Sequence, residues 1–241
     1  MTGFRVAGGG PVIPNFGQPS ACLKHNGWFC TDWLSNHWGD ILQPALLQHI
    51  RLTLIAVGIG FAISFLLALI GFRWRLFDAP IGGFTDLLYA IPSIALFQLL
   101  VPLTGLTVTT VEIALTSYTL FILYRNIVAG LRAVPAEVLE SARGLGLTRL
   151  QTFLRVELPL AAPAILAGLR IATVATISIA TVAAFLIQDG LGAPIFDAIE
   201  TPDLFKTKLL AASGLAILLA LVADALLAYV QRALTPWSRL R

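Results

Sequence analysis

The chain has 241 residues, of which 57% are hydrophobic and 12% charged, and it carries a net charge of +3. A charged share about half that of an average soluble domain excludes a water-soluble globular protein, and at roughly 20 apolar residues per span the chain has room for about five or six membrane helices. The positive excess does not indicate a nucleic-acid partner, because the basic residues sit in a few loops beside apolar runs, where they report topology.

Residues 1–48 form a polar tail rich in Gly, Pro and Asn, with a Gly-Gly-Gly-Pro stretch from Gly8 to Pro11. No basic region leads directly into an apolar core, so the tail does not read as a signal peptide. Cys22 and Cys30 lie in it. A disulfide between them requires the tail to be outside; free thiols are the alternative. A metal site is the third, although His25 and His37 nearby complete no zinc spacing. Trp28, Phe29, Trp33 and Trp38 are aromatics of the kind that settle at a membrane interface.

Span one runs from Leu52 to Phe72, preceded by an amphipathic stretch, Asp40 to Arg51, that either extends the helix or lies along the surface as an interfacial helix. Arg73 and Arg75 close it, and Pro80 with Gly82-Gly83 predicts a turn. Span two runs from Phe84 to Pro102 and is kinked or thinned at Pro92, because proline removes a donor and clashes with the preceding turn. The Thr104-Gly105 turn leads to span three, Val108 to Val128. Span four covers Ala161 to Ile187 and span five Leu209 to Val230, followed by a short tail.

Positive charge then orients the spans. Arg73 and Arg75, then Arg125, Arg132, Arg143, Arg149 and Arg155, then Arg232, Arg239 and Arg241 all fall on one side. The opposite side carries Asp189, Asp197, Glu200 and Asp203 with only Lys206 and Lys208. The first side is therefore cytoplasmic, with the N-terminus outside and the C-terminus inside. Three regions follow: an extracytoplasmic tail at 1–48, a transmembrane domain at 49–232 with a cytoplasmic loop at 131–159, and a cytoplasmic tail at 233–241.

Within that loop, Pro135 suits the first turn of a helix, and Val138, Ala142 and Leu145 fall on one face. Gly144 and Gly146 end the helix. Thr148 and Gln151 match a capping box that opens a second helix, with Leu150, Phe153 and Leu154 as its apolar face. Periodicity alone is also satisfied by two amphipathic helices resting on the bilayer. The order Glu140-x-Ala142, Gly146 four residues on, then Val156-x-Leu158-Pro159 is more specific. It resembles the "EAA" loop of permease subunits in ATP-binding-cassette (ABC) importers, with Ser141 for the usual Ala and Val156 for the usual Ile.

The resemblance extends from about His49 to Tyr229. Ala90-Ile91-Pro92-Ser93-Ile94-Ala95-Leu96 before Pro102 is similar to the permeases of the osmoprotectant branch, which serve glycine betaine, proline betaine, choline and carnitine. So are Arg155 to Leu160 before Pro163, Ala167 to Arg170, Ala172-Thr173-Val174, and Gly190-Leu191-Gly192. Ile187-Gln188-Asp189 departs from the branch's glycine- and alanine-rich entry to that turn, and the N-terminal tail departs as well.

The resemblance implies an all-α polytopic membrane protein with a MetI-like core and a cytoplasmic coupling loop. The coupling residues would be Glu140, Ala142, Gly146, Leu150, Phe153, Val156, Leu158 and Pro159. Implied partners are cytoplasmic ABC ATPase subunits, a second permease, identical or homologous, an extracytoplasmic substrate-binding protein docking near the Asp189 to Lys208 loop, and the lipid bilayer of a bacterial inner membrane. No cofactor is expected on this chain; ATP and Mg would be held by the ATPase.

Quaternary ammonium groups are held over aromatic faces, which makes Tyr89, Phe97, Tyr118, Phe121, Tyr124 and Phe185, with Pro92 and Ser93, translocation-path candidates; the competing role for each is packing. An ionisable group at mid-membrane depth is costly, so Asp224 and Arg170 are expected to pair, while Glu112 reads as interfacial.

Other functions fit less well. No phosphate loop is present, and His25, His37 and His49 all precede or flank span one, leaving no intramembrane base for Ser93 or Ser213. An importer of another small solute, such as an amino acid, is one alternative. An ATPase-independent channel or carrier is another, expected to show charged lining along several spans.

Overall fold

The structure is a computed structural model and describes residues 21–237; the Gly8 to Pro11 stretch and the tail arginines Arg239 and Arg241 lie outside them. Among the described residues every regular element is helical. Helices α1 (Ala21–Lys24) and α2 (Thr31–Asn36) precede a π-turn at Trp38–Leu42 that runs straight into α3 (Gln43–Arg73). The stretch left open between extension and surface helix is thus an extension: Trp38–Arg73 is one continuous helix, and the 48/49 boundary falls inside it. Pro44 explains the π-turn. Its ring would crowd the carbonyl four residues back, Asp40, and the wider turn there gives it room.

Next come α4 (Arg75–Ala90) and α5 (Ser93–Thr104), which differ from expectation. Pro80, Gly82 and Gly83 form no turn; all three lie inside α4. That helix is held against a neighbour strongly enough to override its breakers: Gly82 and Thr85 are buried, and Asp78 and Asp86 pair with arginines described below. The break comes instead at Pro92, where α4 and α5 meet at 99°. Proline forces the residue before it out of the helical region, and Ile91 is extended, at φ −70° and ψ 128°. The second span is therefore a bent pair of helices rather than one kinked rod.

The central element is α6 (Val108–Arg132), which packs on α3, α4, α5 and the helix of span four. Of its most apolar window 67% is buried, against 11% for the last helix, so α6 is the core and the last helix the periphery. Small residues allow the close crossings: a Cβ on Gly130 would come within 2.9 Å of Ala164 Cβ, and one on Gly60 would collide with Thr119.

The loop after α6 holds α7 (Ala136–Gly144) and α8 (Arg149–Thr152); a second π-turn, Phe153–Glu157, then leads into α9 (Leu158–Ala183). Here Pro159 repeats the relation of Pro44, with Arg155 four residues back inside the wide turn. Arg149–Ala183 is consequently one continuous helix. Span four ends at Ala183, four residues before the expected Ile187. Finally α10 (Gly192–Glu200) and α11 (Lys206–Leu234) are the last helices of the described residues. Among the described residues four helices are long and apolar enough to cross a membrane, and the bent pair, counted as one span, makes five.

Near its start, α3 is tied to the turn after α9. His49 is fully buried. Its Nδ1 accepts from the Leu191 N–H at 3.2 Å, which leaves Nε2 to donate to the Ile177 carbonyl at 3.1 Å. The Gln48 carboxamide accepts from the Gly190 N–H at 3.2 Å, and Gly190 sits at φ +70°.

Cys22 and Cys30 are joined by a disulfide. The loop that it closes is clamped to the start of α11: Asn26 donates to the Asp203 and Leu204 carbonyls, and Thr207 donates to the Gly27 carbonyl. Trp33 is buried against Phe205, whereas Trp28 and Phe29 remain exposed.

Candidate functional site

The loop between α6 and α9 is built as a rigid elbow. Pro135 caps α7 with an extended backbone and stands just before the helix rather than in its first turn. At the other end the Leu147 N–H reaches the Ala142 carbonyl at 3.2 Å and the Gly146 N–H reaches Arg143 at 2.9 Å. These are the paired bonds of a Schellman cap, with Gly146 in the left-handed position at φ +79°. One residue after Leu147, Thr148 opens the next helix with a complete capping box: its N–H donates to Gln151 Oε1 at 2.9 Å and its hydroxyl accepts from the Gln151 N–H at 3.3 Å. Two caps back to back leave Leu145 to Leu147 little freedom.

The faces of this elbow are divided differently from the sequence expectation. Ala142 is buried, but Leu145 is 80% exposed, because it follows the last helical residue and helical spacing no longer governs it. Phe153 packs with Leu158 on the α6–α9 core, while Leu150 and Leu154 are exposed. The π-turn that begins at Phe153 shifts the helical phase and separates it from its expected companions. Nor is the second helix a separate piece: it is the first turn of the helix that crosses as span four. Glu140 is exposed, and Val156 and Pro159 are half-buried. Val138, Leu145, Leu150 and Leu154 thus leave an unburied apolar ridge beside Glu140.

The elbow is connected directly to the core. From α7 the chain returns through Ala133 to Pro135 to α6, and from α8 it continues as α9. Two ion pairs not foreseen from sequence extend this link to α4: Arg132 to Asp78 at 3.0 Å, and Arg125 to Asp86. Tyr124, buried in the core, donates to Asp78 Oδ1 at 2.8 Å. Charge placement in the sequence identifies these arginines only as topology markers; of their partners, Asp78 precedes the expected turn and Asp86 falls within the expected second span.

At the bend of the second span, Tyr89 stacks on Phe121 with ring centroids 4.5 Å apart and meets Tyr118 edge-on at 6.0 Å. The Tyr118 hydroxyl donates to the Ile91 carbonyl, a group that the break leaves without a helical partner. Pro92 and Ser93 form the break itself. Phe97 is buried in the core that includes Tyr118. Phe185 stands apart, 61% exposed beyond the end of α9 and beside Phe196.

Arg170 and Asp224 lie together across α9 and α11, in a two-pronged pair of 2.9 Å contacts. Gln231 accepts from Arg170 at 3.3 Å and donates to the Pro163 carbonyl at 3.0 Å. The pair stands at one end of a cleft of about 900 Å³ whose walls include Ile171, Val174, Ile217 and Leu221.

Glu112 lies in the first turns of α6 and is half-buried. Both carboxylate oxygens are buried without a hydrogen-bond partner among the described residues. An unpaired buried polar group costs about 1–3 kcal/mol, so Glu112→Leu is expected to hold or raise the thermal unfolding temperature of the detergent-solubilised protein. A fall of several degrees would show that Glu112 has a partner in the working protein.

Among the described residues no cluster of His, Cys, Asp and Glu is arranged to hold a metal ion.

Over residues 58–236 the chain matches the family described as binding-protein-dependent transport system inner membrane component. It is 33% identical over 205 residues to the choline transport system permease protein OpuBB of Bacillus subtilis, covering 85% of this chain and 93% of that protein. It is 36% identical over 201 residues to the osmoprotectant import permease protein OsmW of Salmonella typhimurium, covering 81% and 92%. Among solved structures, an inward-facing MetNI methionine ABC transporter superposes with a TM-score of 0.71 at 18% identity, over 83% of this chain and 98% of that one. An amino acid ABC transporter solved with histidines gives 0.68 at 22% identity, over 85% and 100%. At these identities the likeness is one of fold.

Proposed function

Since the chain belongs to the binding-protein-dependent transport system inner membrane components, we propose that it is the membrane subunit of an ABC importer for osmoprotectants of the quaternary ammonium class. The observation that carries the cargo is near full-length similarity to permeases named for choline and for osmoprotectants. The solved transporters named for methionine and amino acids support the architecture and leave the amino-acid alternative without a sequence argument.

In this reading the α7 elbow seats in a cytoplasmic ATPase, with Leu145, Leu150 and Leu154 buried in the partner's groove and Glu140 orienting them. ATP and Mg are held by that partner. A second permease subunit, identical or homologous, completes the path, and an extracytoplasmic binding protein delivers the cargo near the turn that follows α9. The N-terminus lies outside, and the C-terminus shares the cytoplasmic side with the elbow. Closure of the ATPases pushes the elbow, and because it continues into α9 and joins α6 through three residues, both helices move with it. The Arg132–Asp78 pair carries the motion to α4 and so to the aromatic group at the bend, where Tyr89 and Phe121 offer faces to a cation.

Proteoliposomes containing the permease, its cognate ATPase and its binding protein are expected to take up labelled choline, glycine betaine or carnitine only when ATP is supplied inside the ATPase compartment. Uptake of none of the three, with uptake of an amino acid, would move the chain to another importer branch. Uptake without the ATPase would support the carrier alternative.

A further inference from the structure

A cleft of about 1100 Å³ lies where the cytoplasmic end of α3 meets the segment entering α9. Leu69, Ile70 and Phe153 form its apolar wall, and Arg73, Arg143 and Arg149 stand around it with Trp74 and one carboxylate, Glu157. Three guanidiniums therefore face a single acid. Among the described residues none of the three arginines is engaged in an ion pair. Each is exposed, as is Trp74.

Depth identifies the occupant. From His49, tied to the outer turn, to Arg73 is a helical rise of roughly 36 Å, which spans a hydrocarbon layer of about 30 Å. Arg73 and Trp74 thus fall at the headgroup level on the side of α7, and Leu69 and Ile70 fall at the level of the first acyl carbons. Leu150 lines the elbow side of the cleft, within reach of the ATPase, whereas Leu69 and Ile70, at acyl depth, are out of reach of a water-soluble partner and open to a phospholipid. We propose that the cleft binds one anionic phospholipid, its phosphate held by Arg73, Arg143 and Arg149 and its upper acyl chain laid against Leu69, Ile70 and Phe153. The site requires only that the chain spans a membrane, and it is independent of the cargo. Its ligand would bridge α3 and the elbow, two parts far apart along the chain.

The test is native mass spectrometry of the permease purified in its detergent-solubilised complex, with phosphatidylglycerol and phosphatidylcholine of identical acyl chains. Selective retention of phosphatidylglycerol is expected. Arg73→Gln and Arg143→Gln should each weaken it by about fivefold, the effect of one basic residue near an anionic membrane surface. Glu157→Gln, which removes the opposing carboxylate, should strengthen it, and this gain cannot come from misfolding. Equal retention of the two lipids overturns the proposal, as does selectivity that survives both arginine substitutions. Loss of the ATPase from the arginine variants with unchanged lipid retention assigns the rim to the ATPase instead and also overturns it. The readout is lipid mass on the protein, so a failure of osmoprotectant uptake would leave this result standing.

Discussion

Replacing Gly146 with valine is expected to abolish ATP-driven uptake while the subunit still inserts into the membrane. At φ +79° a β-branched residue is strained, at a cost of about 1–3 kcal/mol, and the Schellman bonds from Gly146 and Leu147 would be lost as the backbone relaxed. Volume is not the cause, since a Cβ at Gly146 would meet nothing within 4 Å. The contrast variant follows from that. Asparagine tolerates the left-handed region far better than valine, so Gly146→Asn should retain most of the uptake that Gly146→Val loses. Both would be measured in proteoliposomes, with ATPase turnover followed in parallel. Full coupling in the valine variant would remove the elbow from the mechanism; equal failure of valine and asparagine would point to the glycine surface rather than its backbone.

The second large effect concerns Arg170 and Asp224. Either Arg170→Asp or Asp224→Arg alone leaves two like charges facing each other between α9 and α11, in a setting where an unpaired charge is costly. Each single change is expected to lower the amount of folded subunit in the membrane severalfold. The double change restores opposite charges across the same gap, and recovery of folded subunit is the expected result. Gln231 limits that recovery, because it accepts from Arg170 and anchors to the Pro163 carbonyl; with the charges exchanged it would have to rotate. If the double variant behaves no better than either single one, the pair does not hold these helices together.

Much of the elbow was legible because its signals are local. A left-handed glycine, a Thr-x-x-Gln capping box and a proline at a helix entry each act over four or five residues, and each is found at its expected place to within one position. The same is true of the break at Pro92, whose position follows from the ring, although its 99° angle does not. The misread parts are those in which a neighbour outweighs the local signal. Pro80 and Gly82-Gly83 are turn formers by every local rule, yet α4 runs through them because Asp78, Gly82 and Asp86 all meet α6. Phe153 belongs by spacing with Leu150 and Leu154, and only the wide turn that accommodates Pro159 sends it inward. Glu112 stands near a span end, as its position in the sequence predicts, but that position does not show that packing leaves its carboxylate oxygens without a partner among the described residues.

The sequence by itself determined that the chain is a helical membrane protein, and which family it belongs to. Those properties follow from residue composition, charge placement and short-range spacing, and they need no knowledge of which helices touch. Tertiary structure alone decided that α6 is the centre, that its arginines pair with α4, that α8 is the first turn of the helix of span four, and that a basic cleft opens beside α3. Each of these depends on contacts between residues tens of positions apart, where the energy of packing two helices exceeds the propensity of any single proline or glycine between them.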